Sequence, residues 1–86
     1  MKINVTKDDI RRGFRQNAWL CPVARAVRRA VGPGPRREIC VTESSINVGE
    51  RRLGLPPGVG GFICRFDLFE KVRPFSFTLP LRRRQR

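Results

Sequence analysis

Histidine and tyrosine are both missing from the 86 residues, and only seven positions carry Asp or Glu. Without histidine the commonest general base is gone, and with it the imidazole metal ligand. Three cysteines remain, Cys21, Cys40 and Cys64. Their number is odd, their spacing is wide and no Cys-x-x-Cys pair occurs, which argues against a zinc site and against a disulfide framework. They read as reduced, buried and inert thiols in a cytosolic protein. No run approaches the eighteen or so apolar residues of a membrane span. Met1 to Thr6 alternates polar and apolar positions instead of offering an apolar signal core. A cytoplasmic location is therefore expected.

The same shortages exclude most enzyme chemistry. Cys21 falls where a helix should begin, a position that can lower a thiol pKa, but no histidine is available to take its proton. Asp8 and Asp9 are explained by helix capping, and Asp67 and Glu70 by surface charge balance with Arg65, Lys71 and Arg73. Pro57-Gly58-Val59-Gly60-Gly61 is followed by no Gly-Lys-Ser/Thr, and no dinucleotide fingerprint is complete. A loose helix start accounts for those glycines. No catalysis, no cofactor and no metal are expected.

What the chain has in excess is positive charge. Nineteen Lys and Arg give a net +12, and sixteen of the nineteen are Arg. Such a field draws in polyanions, and guanidinium groups suit bidentate contact with phosphate and carboxylate. A solvated surface encoded by GC-rich DNA would show the same arginine usage, so both readings stand at this point.

Lys2 to Val5 alternates with a period of two, the mark of a short half-buried strand. Thr6-Lys7-Asp8-Asp9 has the form of a helix cap and predicts a short helix over 7–12 that stops at Gly13. Residues 13–20 are irregular, with Phe14 and Trp19 expected to tuck onto the core. Pro22 suits a first helical position behind Cys21 as cap. Val23, Ala26, Val27, Ala30 and Val31 then recur at helical spacing, with Arg25, Arg28 and Arg29 on the other face. Gly32-Pro33-Gly34-Pro35 ends that helix. Ile39/Val41 and Ile46/Val48 predict two strands joined by a turn at Glu43-Ser44-Ser45. Residues 51–55 read as a connection, 57–71 as a helix carrying Val59, Phe62, Ile63 and Phe66, and 75–79 as a last strand. The order suggests one α+β domain over 1–81 in a ferredoxin-like βαββαβ arrangement, with an extra short N-terminal helix and a basic tail at 82–86.

The leading candidate site is a patch of Arg25, Arg28 and Arg29, extended by Arg36 and Arg37 and facing an anion, because acidic partners look too few to neutralise it. Reversal of Arg25 and Arg29 is then expected to spare folding. Arg11, Arg12, Arg15, Arg51 and Arg52 form secondary anion-binding clusters. The outward positions of the strands, Asn4, Cys40, Thr42, Asn47, Ser76 and Thr78, carry no aromatic residue, which argues against the base-stacking sheet of an RNA-recognition module.

Val5-Thr6-x-x-Asp9-Ile10, Cys21-Pro22-Val23-Ala24-x-Ala26-Val27, Phe62-x-x-x-Phe66-Asp67 and Val72-x-Pro74-Phe75-x-Phe77-x-Leu79 together resemble small accessory proteins encoded by bacteriophages and prophages. The motifs are short and structural, so the resemblance carries over no functional residues. It implies a phage context, in which proteins of this size often inhibit host defences, as anti-CRISPR proteins do, or regulate host machinery. The leading expectation is a non-enzymatic protein that binds nucleic acid or a nucleoprotein complex. The alternative is an inhibitor docking on an acidic surface of a host protein, with Trp19 or Phe14 in its hot spot if they are exposed.

Overall fold

The computed structural model describes residues 1–32 and 38–81. Along the chain run β1 (Lys2–Val5), α1 (Lys7–Arg12), α2 (Pro22–Val31), β2 (Ile39–Val41), β3 (Ser45–Val48), β4 (Arg51–Gly54), α3 (Val59–Asp67) and β5 (Phe75–Thr78). The expected tail at 82–86 and the arginine pair Arg36/Arg37 lie outside the described residues.

The α+β class holds, but the strands form two antiparallel sheets, β1–β5 and β2–β3–β4. A ferredoxin-like order would set β1 beside β3 in one sheet. Here both edges of β3 are taken, by β2 on one side and β4 on the other. β4 replaces the expected connection over 51–55, and its only buried residue, Leu53, leaves no alternation to mark it as a strand. The signal available was the two-residue Gly49-Glu50 link, with Gly49 at φ +60°, since glycine at the first central position suits a tight hairpin.

Helix α2 joins the two sheets. It packs on β1 and on β2, while α1 packs on α2. Val23 and Val27 are fully buried. Each such side chain contributes about 1.5–3 kcal/mol relative to exposure. Cys21 caps the helix, its Sγ accepting from Ala24 N at 3.4 Å, and Pro22 sits at the first turn as the sequence implied. Burial pushes the Cys21 thiol above its ordinary pKa despite the backbone N–H groups that favour a thiolate.

At the chain start, Thr6 and Asp9 close a reciprocal capping box. Asp9 N donates to Thr6 Oγ1 at 3.1 Å and Thr6 N donates to Asp9 Oδ2 at 2.9 Å. Gly13 ends α1 at φ −71°, a conformation open to any residue. Its glycine is required by space instead, because a Cβ there would stand 2.6 Å from Pro22 Cδ. On the other side of the core, Phe62 of α3 meets Phe75 of β5 with ring centroids 4.6 Å apart. Helix α3 ends at Asp67, four residues short of the sequence expectation. Of the three thiols, Cys21 is buried, Cys40 is half-buried and Cys64 is exposed, so the expectation of three buried cysteines fails at Cys64.

Candidate recognition surface

Within the leading arginine cluster, Arg25 and Arg29 are paired with carboxylates. Arg29 grips Asp9 in bidentate fashion, Nη1 to Oδ1 at 2.8 Å and Nη2 to Oδ2 at 2.7 Å, and its Nη2 also donates to Asn4 O. Asp9 is fully buried. Burial alone would raise its pKa, but the Arg29 hydrogen bonds, the Thr6 backbone and hydroxyl, and the nearby positive charge hold it below the ordinary aspartate value. Arg25 lies 3.5 Å from Asp9 and 3.7 Å from Asp8, with its Nε buried and making no hydrogen bond. Arg28 donates to Trp19 O. The premise that acidic partners are too few is thus wrong at Arg25 and Arg29: two adjacent aspartates serve them, presented by α1 to α2.

Among the secondary clusters, Arg11 and Arg12 both hydrogen-bond Asp8 Oδ1, at 2.7 and 2.9 Å, and those bonds lower the Asp8 pKa. Arg15 donates from Nε to Phe66 O at 3.0 Å, with its guanidinium 4.1 Å from the Phe69 ring centroid and 4.6 Å from that of Phe66. It therefore caps α3 across fifty-one residues of sequence. Arg51 and Arg52 stand exposed on β4, with no carboxylate in ion-pair range among the described residues. The charge balance expected of Asp67 and Glu70 is not made either: Asp67 Oδ1 instead accepts Gln16 N at 2.8 Å.

Apolar side chains are exposed as well. Five large hydrophobic side chains are exposed among the described residues: Phe14, Trp19, Leu20, Leu68 and Phe69. All five lie on two segments, the 13–20 loop and the turn that ends α3. Arg15 and Gln16 tie those segments together through Phe66, Asp67 and Phe69. Phe14 and Trp19, expected in the core, stand in solvent at 59% and 52% exposure. The loop that carries them is nonetheless held. Phe14 N donates to Leu20 O, Val41 N donates to Ala18 O, and Asn17 Oδ1 accepts from both Trp19 N and Leu20 N. Its backbone is satisfied while its apolar side chains are not buried.

The turn after α3 carries a second oddity. Glu70 N donates to Arg65 O at 2.9 Å and Phe69 N to Phe66 O at 3.1 Å, the paired bonds of a Schellman C-cap. That motif needs a left-handed residue, usually glycine, and here the position is Phe69 at φ +65° and 75% exposure. A non-glycine residue in this region costs about 1–2 kcal/mol. The only other described non-glycine residue with positive φ is Gln16, at +54°, which donates to the same turn. Both left-handed non-glycine residues therefore lie on the two segments that carry the exposed apolar residues.

Among the described residues no three His, Cys, Asp or Glu side chains gather where a metal could bind, and no helix is long and apolar enough to cross a membrane. No family model, curated protein or solved structure matches the chain.

Proposed function

We propose that this is a non-catalytic binding protein that docks on an acidic protein surface through the face formed by Phe14, Trp19, Leu20, Leu68 and Phe69. The observation that carries the reading is Phe69, a large aromatic residue kept in a strained left-handed position that glycine would fill at less cost, three-quarters exposed and braced by Arg15. Isolated exposed apolar residues need no explanation, but a set brought together on tied segments marks an interaction surface. Aromatic and Arg side chains are the usual binding hot spots. The net charge of +12 makes the fitting partner acidic, and it disfavours a second copy of this chain, which would bring like charge to like charge.

The resemblance to phage-encoded accessory proteins makes a host protein the partner in this proposal, of the kind an inhibitor of host defence would engage. The nucleic-acid reading keeps support from Arg51 and Arg52, which have no acidic partner among the described residues. Capture from nuclease-treated host extract separates the two, run beside a Trp19→Ser/Phe69→Gly variant. The expected result is one acidic protein, recovered in stoichiometric amount by the natural chain and lost by the variant. Phe69→Gly relieves the backbone strain, so the variant should stay folded by circular dichroism. Recovery that disappears with nuclease, or that the variant retains, would overturn the docking proposal.

A further inference from the structure

A second surface is independent of the apolar face. Between the start of α3 and the segment leading into β5 lies an open cleft of about 370 Å³. That is within the range of about 300–1,000 Å³ seen for small-molecule sites. Three cations line it, Arg65, Lys71 and Arg73, and no Asp or Glu does. None of the three has a carboxylate within ion-pair distance among the described residues, in contrast to Arg11, Arg12, Arg25 and Arg29. The Arg65 guanidinium folds back along its own helix: its Nη1 lies 3.3 Å from where a Cβ on Gly61 would sit, so glycine at 61 leaves it room. Phe75, half-buried and backed by the Phe62 ring at 4.6 Å, supplies an aromatic wall.

An aromatic wall beside three unpaired cations fits a ligand that joins a flat ring to a phosphate. We propose that this cleft binds a nucleoside 5′-phosphate unit, either free or at the end of a nucleic-acid strand. Arg65, Lys71 and Arg73 hold the phosphate, and the base lies against Phe75. Guanidinium groups make bidentate bonds to phosphate oxygens, and every base offers a π-face to an aromatic side chain. The inference goes beyond the docking reading and does not rest on it, because its residues are separate from the apolar face.

The test is calorimetric titration with AMP, adenosine and inorganic phosphate at about 50 mM salt, where phosphate contacts are strong. AMP should bind at least about tenfold tighter than either fragment. The Arg65→Gln/Arg73→Gln variant should weaken AMP by at least about tenfold, while Arg51→Gln/Arg52→Gln, with the same loss of charge outside the cleft, should change it less than about twofold. A 5′-phosphorylated pentathymidine identifies the source. Binding well above that of AMP assigns a strand end, binding at or below it assigns the free nucleotide, and each supports the site. AMP binding no tighter than inorganic phosphate would overturn the proposal. Equal weakening in the two double variants would show only the general field of the chain, and would overturn it too. Circular dichroism checks that both variants fold.

Discussion

Asp9 has no solvent exposure, yet its carboxylate stays charged because Arg29 and Thr6 supply hydrogen bonds to both oxygens. Its folded pKa is lowered, so its contribution to stability is fully present above the ordinary aspartate range, about pH 4. That contribution is lost as pH falls through the lower folded value. Asp9→Asn removes the charge but keeps the shape. It should lower unfolding free energy at pH 7 by about 2 kcal/mol, the scale of a hydrogen bond to a charged group. The gap from the natural chain should narrow in urea melts repeated below about pH 4. The same geometry reverses the expectation for Arg25→Glu/Arg29→Glu. Two new carboxylates set against buried Asp9 leave all three charges without the counter-ions Arg25 and Arg29 supplied, so this variant should lose the fold.

Elements meet here at close quarters, and the α1–α2 corner shows it. Gly13 has room for alanine in its dihedral angles but not in space, since Pro22 occupies the volume a methyl group would need. Gly13→Ala should therefore cost about 1–3 kcal/mol by overpacking, read as a lower urea midpoint with an unchanged slope. A neutral result would mean the α1–α2 corner can open without strain. At the far end of the chain the opposite logic holds, because Phe69 has space but an unfavourable dihedral. Helix α3 ends short of the expected residue 71, and no glycine announces its end. Its termination depends on Arg15, which reaches Phe66 O from the loop before α2, and on a Schellman turn completed by a residue type that ordinarily avoids the conformation.

Across the whole molecule, chain packing is ordinary and charge is not. The Cα radius of gyration is 12.0 Å, what a well-packed domain of this length should have. Yet the chain carries nineteen cationic against seven anionic side chains. Charges a radius apart interact strongly at low salt, where the screening length is about 30 Å at 0.01 M, and weakly at about 8 Å in 0.15 M. Self-repulsion should thus exceed what the surface ion pairs return. The thermal midpoint should rise as sodium chloride is raised between those two concentrations. A midpoint that falls over that range would mean the Asp8 and Asp9 pairs outweigh the net charge.

Local chemistry was legible in the sequence. Thr6 and Asp9 make a capping box, Cys21 and Pro22 start a helix, and Ile3, Val5, Phe77 and Leu79 alternate inward, because caps and periodicity depend on neighbours a few residues away. The α+β class follows from those patterns. What they could not decide is which element lies beside which. Only Leu53 of β4 is buried, which leaves no alternation to mark that strand, and the two-sheet topology follows from β4 taking the free edge of β3. The candidate site depends on such distant contacts even more. Whether an arginine is a free cation or a strut depends on a carboxylate twenty residues away, as at Arg29, and whether an aromatic residue is core or surface depends on what packs over it. Tertiary structure tied Arg25 and Arg29 to the buried Asp9, left Phe14 and Trp19 exposed, and left Arg65, Lys71 and Arg73 around one cleft. Pairing and burial are properties of the folded space, and no local pattern in the chain encodes them.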